Sequence, residues 1–180
     1  LPEYYLTRTE LAMLGDVAHE MAARIGPRPV IIEYGSGSGR KTMVLVESLQ
    51  PAAYVAIDIS GDALRQAVAM LAATFPGVRV LALCADYTRA ARFRELDTIE
   101  AERRVVYFPG STIGNFTTEE ALAFLRNARE VAGPRGAMLV GVDLKKAPAL
   151  LHAAYNDSQG VTAAFNLNVL SRINRELGAN

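Results

Sequence analysis

Two kinds of segment alternate along this 180-residue chain. Compact, nearly continuous apolar runs fall at 30–32, 53–59, 79–85, 105–108 and 137–142, and the longer segments between them mix polar and apolar positions. The runs read as strands, and the mixed segments 11–25, 41–49, 63–74 and 121–132 as helices. Punctuation supports the division. Thr7-Arg8-Thr9-Glu10 has the form of a capping box ahead of the first helix, with Gly26-Pro27 as its stop. Ser60 or Asp62 can cap the third helix, and Thr117-Thr118-Glu119-Glu120 the fourth, which Gly133-Pro134 ends. The charged stretch 89–103 reads as a short helix with a loop.

Strands that are apolar throughout, alternating with helices, predict a parallel sheet covered on both faces. Right-handed crossovers then leave a doubly wound α/β sheet, with strands in the order 3-2-1-4-5 and 137–142 at an edge. After Asp143 the pattern changes to two successive helices, 148–156 and 161–175, the second with Val161, Phe165, Val169 and Ile173 along one face. We therefore expect residues 11–145 to form one domain, and 1–10 with 146–180 to form part of a second, helical one that serves as a lid. The start at Leu1 and the uncovered apolar edge strand lead us to expect a longer parent whose further strands lie against that edge.

Composition narrows the function classes. The chain is 51% hydrophobic, yet it has no apolar run of about 18 residues, so it reads as neither membrane-spanning nor disordered. Nineteen basic residues balance nineteen acidic ones, which argues against long nucleic acid as a partner. The single cysteine, Cys84, lies in an apolar run and reads as a small buried hydrophobe. No basic-apolar leader opens the chain, so a cytoplasmic compartment is expected, and a monomer with a small-molecule substrate is favoured. His19 and His152 are isolated, and no metal-ligand cluster is visible.

The chemistry begins at Ile32-Glu33-Tyr34-Gly35-Ser36-Gly37-Ser38-Gly39, where a strand gives way to a helix. Glycines there let the backbone turn sharply and approach a ligand, while the helix start offers free N–H groups. A phosphate-cradling P-loop would need a glycine where Arg40 stands, before Lys41-Thr42. A dinucleotide loop would place its third glycine one residue later. The form present, Gly-x-Gly-x-Gly after an acidic residue, resembles the first motif of class I methyltransferases, which bind S-adenosylmethionine. Asp58 ends the second strand, where a carboxylate can accept both hydroxyls of a ribose, though it can also serve only to close a turn. Asp86-Tyr87 ends the third strand. In class I methyltransferases an acid there meets the adenine amino group, and Tyr87 can pack on the base. Lys41, in the first turn of the following helix, can reach a ligand carboxylate or simply face solvent.

Three further segments are more specific: Phe108-Pro109-Gly110-Ser111-Thr112-Ile113-Gly114-Asn115-Phe116, the run from Tyr155-Asn156-Asp157-Ser158-Gln159-Gly160 to Asn166, and Pro2-Glu3-Tyr4-Tyr5-Leu6-Thr7-Arg8-Thr9-Glu10. With Asn174-Arg175-Glu176-Leu177 they resemble the L-histidine Nα-methyltransferase family of ergothioneine biosynthesis over nearly the whole chain. The resemblance implies an enzyme that trimethylates the α-amine of histidine to hercynine with S-adenosylmethionine and no metal. It also implies a longer chain whose later part holds the imidazole. By motif, Gly35, Lys41, Asp58, Asp86 and Tyr87 are assigned to the cofactor, and Tyr5, Asn115 and Tyr155 to histidine, with Tyr4 adjoining Tyr5. Tyr34 and Tyr87 stand where leucine and phenylalanine are common, and both keep an apolar or aromatic body. The residues agree in part, since Asn115 follows the fourth strand, at the switch region where an acceptor must approach, and its amide suits an amino acid. No general base is assigned. A family member acting on another amino-acid-like amine, a binding module without catalysis and an oxidoreductase are the competing readings.

Overall fold

The computed structural model describes residues 1–37, 39–89 and 93–179. Ser38 of the glycine loop and residues 90–92 of the charged stretch lie outside the described residues. Five strands form one parallel sheet: β1 (Val30–Tyr34), β2 (Ala53–Asp58), β3 (Arg79–Cys84), β4 (Arg104–Phe108) and β5 (Ala137–Val140). Their order is β3-β2-β1-β4-β5, as the alternation of segments predicts. The helices are α1 (Leu6–Ile25), α2 (Arg40–Leu49), α3 (Gly61–Thr74), α4 (Thr118–Ala132), α5 (Pro148–Tyr155) and α6 (Val161–Leu177). The chain divides into two compact units, Glu10–Asp143, and Leu1–Thr9 with Leu144–Asn180.

In the first unit, successive residues of each strand point to opposite faces, and the core splits accordingly. Val30, Ile32 and Tyr34 of β1 join Val55, Ile57, Val106 and Phe108 on one face, under Phe124, Ala128 and Val131 of α4. Ile31, Tyr54, Val105 and Tyr107 pack on the other face under Leu45 and Leu49 of α2 and Leu64 and Leu71 of α3, with Met21 and Ile25 of α1 alongside. All five residues of β1 are buried. The edges depart from the uniform burial expected of the apolar runs. In β3, Arg79, Ala82 and Cys84 are exposed, and β5 pairs with β4 alone among the described residues. Cys84 is therefore an exposed thiol at an edge rather than a buried hydrophobe, with its Sγ 3.5 Å from the carbonyl of Ile59.

Caps follow the sequence at two helices and depart from it at a third. Thr117 and Glu120 form the reciprocal capping box of α4, and Ser60 rather than Asp62 caps α3 by accepting from the Ala63 N–H. Asp62 pairs with Arg65 instead. Helix α1 starts at Leu6, and the Thr9 N–H already donates to the carbonyl of Tyr5 at 2.9 Å. Thr7 and Glu10 thus lie inside the helix and form no box, because the Glu10 carboxylate turns to Lys41 and Gly110.

The second unit is held by polar contacts. Glu3 accepts from the Ser158 N–H at 3.2 Å and from its hydroxyl at 2.5 Å. Asp157 is buried, and its two oxygens take the Val161 and Thr162 N–H groups that open α6. Those bonds hold its carboxyl down to about 2, the Thr162 contacts contributing most. The stripe Val161, Phe165, Val169 and Ile173 forms on α6 as expected, and all four residues are exposed. No helix among the described residues is long and apolar enough to cross a membrane.

Phe124 sits among the rings of Phe108, Phe116 and Tyr34, with centroids at 4.5, 5.4 and 5.7 Å, and is 2% exposed. Replacing it by alanine should cost about 3–5 kcal/mol of stability, read as a lower urea midpoint at unchanged slope. A loss no larger than that of a surface substitution would deny this cluster its place as the core of that face.

Candidate active site

β1 ends at Tyr34, and Gly35, Gly37 and Gly39 all take left-handed backbone conformations before α2 begins. The turn is pinned by the Gly35 N–H donating to Ile57 and the Gly39 N–H to Ser36. At Gly35 φ is +74°, a conformation that favours glycine, and a Cβ there would stand in ordinary contact with the Tyr87 hydroxyl, at 3.7 Å.

Beneath the loop on the α2 face lies a polar layer. Glu33 is 2% exposed, and its Oε2 accepts from Thr42 Oγ1 at 2.5 Å and Tyr54 Oη at 2.6 Å. Burial raises its carboxyl to about 7, against the pull of those two hydroxyls and the Lys41 charge. Tyr107, the register partner of Glu33 on β4, is also buried, and burial together with the charges of Glu33 and Glu10 raises its phenol. Lys41 Nζ is paired with Glu10 Oε2 at 2.5 Å.

The other face is aromatic. Tyr87 stacks on Tyr34 with centroids 5.3 Å apart and planes 7° from parallel, and meets Phe108 and Phe124 edge-on. Its phenol is raised by burial and then by the charges of Asp58 and Asp86, so both carboxylates lie within electrostatic reach of it. Each carboxylate also closes a local turn. Asp58 Oδ1 accepts from the Ser60 N–H at 2.9 Å, and Asp86 Oδ1 from the Thr88 N–H and hydroxyl at 2.9 and 2.6 Å. The Thr88 contacts hold the Asp86 carboxyl below its usual range. An ionised carboxylate has about four lone-pair directions, so these bonds leave capacity for ligand hydroxyls or amines.

Gly35, Lys41, Asp58, Asp86 and Tyr87, which the motifs assign to a cofactor, thus gather around one loop. Asn115 closes a 3-10 turn, Thr112–Asn115, after β4 and is exposed. Tyr5 and Tyr155 belong to the other unit. There Lys146 Nζ lies 4.9 Å over the Tyr5 ring, and the Tyr4 and Tyr155 rings meet at right angles with centroids 5.8 Å apart. Sequence reasoning missed three contributors. Glu10 was read as a cap, and Tyr34 was read only as a variant residue rather than the platform under Tyr87. Asn127, buried on α4, donates to the carbonyls of Arg89 and Tyr87 at 3.2 and 3.5 Å and so fixes the segment that carries Tyr87. A polar residue on the apolar stripe of α4, beside Phe124, Ala128 and Val131, was the signal for the last.

A family described as histidine-specific, SAM-dependent methyltransferases matches residues 1–180. The histidine N-alpha-methyltransferase of Mycolicibacterium smegmatis is 39% identical over 184 residues, covering 99% of this chain and 56% of that protein. Ergothioneine biosynthesis protein 1 of Neurospora crassa is 36% identical over 182 residues, covering 99% of this chain and 21% of its own length. The chain therefore spans about half the length of the bacterial relative and about a fifth of the fungal one. Among solved structures, an O-methyltransferase family protein from Burkholderia thailandensis superposes with a TM-score of 0.54 at 19% identity, over 87% of this chain and 43% of that one. That likeness concerns the fold.

The buried carboxyl gives this unit a pH dependence. Glu33 is raised from 4.5 to about 7 in the folded chain, so its contribution is full below pH 4.5 and is lost as pH climbs through 7. At 1.36 kcal/mol per pH unit the fall amounts to about 3 kcal/mol. In Glu33→Gln this fall should disappear, seen as the difference between the variant and parent stability curves from pH 4.5 to 7. Parallel curves would mean that folding does not raise the Glu33 carboxyl above its ordinary value.

Proposed function

The chain belongs to the histidine-specific, SAM-dependent methyltransferase family, and on that premise we propose that the protein transfers methyl groups from S-adenosylmethionine to the α-amine of L-histidine, giving hercynine. The observation that carries this reading is the family match across residues 1–180.

The residues around the glycine loop fit the cofactor. The space a Cβ would fill at Gly35 is left open beside the Tyr87 hydroxyl, so backbone can approach a ligand there. Asp58 offers acceptors for two ribose hydroxyls, Asp86 an acceptor for an exocyclic amine, Tyr87 an aromatic edge for the base and Lys41 a cation for a carboxylate. When bound, S-adenosylmethionine supplies an activated methyl on a sulfonium. The remaining work falls to the chain. Transfer is an in-line displacement, so the protein must hold the amine behind the methyl group, and such alignment can contribute about 7–11 kcal/mol. An amine attacks only when deprotonated, so the site must take the neutral amine or remove its proton. Asn115, exposed after β4, offers both donors and an acceptor to an amino acid. Tyr5 and Tyr155 are assigned to the same acceptor by their motifs.

Asp58→Ala should weaken S-adenosylhomocysteine binding by about 1.5–3 kcal/mol, the range for a hydrogen bond to a charged group, measured by calorimetry on the folded variant. Asn115→Ala and Tyr155→Phe should instead slow formation of methylated histidine, followed by mass spectrometry, and leave cofactor affinity nearly intact. Unchanged affinity in the first variant would remove Asp58 from the site. Loss of cofactor binding in either of the others, with the fold intact, would overturn the division between the two ligands. An acceptor screen in which another amino acid is methylated in place of histidine would overturn the substrate.

A further inference from the structure

The Glu10 carboxylate takes no part in the reaction proposed above, yet it is part-buried and both of its oxygens have partners. Its Oε2 accepts from Lys41 Nζ at 2.5 Å, and its two oxygens lie 2.8 and 3.0 Å from the donating N–H of Gly110. The side chains of Lys41 and Glu10 keep only 19% and 13% of their exposure. Glycines make the room. A Cβ on Gly141 would collide with Glu10 Oε1, and one on Gly110 would stand 3.1 Å from Lys41 Nζ. The contact joins α1, the first turn of α2 after the glycine loop, and the turn that leaves β4 toward Asn115.

We infer that Glu10 is a positioning residue: its carboxylate holds the Lys41 ammonium beside the glycine loop and ties the β4 exit to it, so that the cation for a ligand carboxylate is in place before the ligand binds. The inference rests on the cofactor reading of Lys41. A lysine stem is flexible and carries much rotamer entropy, and an ammonium this enclosed would turn to water if its counter-charge were removed. Glu10 satisfies one of the three ammonium donors, which leaves two for a ligand. Ordering the side chain in advance removes that cost from binding. Repulsion between Glu10 and a ligand carboxylate acts in the opposite direction, and the sign of the mutational effect decides between the two.

The test is a double-mutant cycle on S-adenosylhomocysteine affinity, measured by calorimetry in the full-length protein, with melting temperatures recorded alongside. Glu10→Gln keeps the shape and an acceptor for Gly110 and should weaken binding about tenfold, the scale of ordering one long side chain. In a Lys41→Ala background the same change should alter affinity less than about twofold, because Glu10 acts through the lysine. A merely structural role would weaken binding equally in both backgrounds, and that result overturns the inference, as does tighter or unchanged binding in Glu10→Gln. Should the glutamine variant fail to fold, Glu10→Asp replaces it in the cycle. It keeps the charge but is one methylene too short to span both partners, and the same comparison applies. If the parent protein does not bind the compound, the cofactor reading falls with this one. If the parent binds and Glu10→Gln binds equally, only the role of Glu10 falls.

Discussion

The Glu33 carboxyl lies near the end of a strand with no exposed residue, in the middle of the sheet and shut off from water. Two hydroxyls and a nearby ammonium favour its charged form, and hydrogen bonds to a charge contribute about 1.5–3 kcal/mol each. Burial still wins, since the carboxyl is raised rather than lowered. The group is therefore costly to keep, and what it supplies is geometry. Thr42 of α2 and Tyr54 of β2 converge on a single oxygen of β1. The start of α2 is thereby set against two strands at once. The loop between β1 and α2, with left-handed glycines at 35, 37 and 39, leads directly into that helix.

That loop divides two different media. On the α2 face it rests on Glu33, Thr42, Tyr54 and Tyr107, with the Glu10–Lys41 pair alongside. On the α4 face it rests on Tyr34, stacked under Tyr87 and backed by Phe108 and Phe124. The first environment suits the charged end of a ligand, and the second suits a flat apolar one. Alternation along β1 produces the split, because Glu33 and Tyr34 are neighbours that must point to opposite faces.

The elements and their order were legible because a strand buried on both faces leaves a continuous apolar run, which has few other readings. The gathering of Gly35, Asp58, Asp86 and Tyr87 followed from the same pattern, since each stands where a parallel strand ends. What was not legible depended on which neighbour wins. Thr7 to Glu10 satisfies the local rule for a cap, and a partner 31 residues away in Lys41 overrides it. Cys84 sits in a run as apolar as the others, but among the described residues β3 has a neighbour on one side only, and edge position is a property of the sheet rather than of the run. The role of Asn127 was out of reach because the carbonyls it serves lie 38 and 40 residues earlier.

The place of the turn after β4 follows from topology more than from its own residues. Strand order reverses at β1, with β2 on one side and β4 on the other, so the loops leaving β1 and β4 emerge side by side at the same end of the sheet. The helices that follow them diverge: α2 covers the face of Ile31 and Tyr107, and α4 the face of Ile32 and Phe108. Adjacent strands lie about 4.8 Å apart, so the two loops start as close neighbours and are drawn apart by their helices, which opens a crevice between them. Any sequence that keeps this order obtains that crevice. Lys41, paired with the part-buried Glu10, follows the first of these loops, and the exposed Asn115 ends the turn in the second.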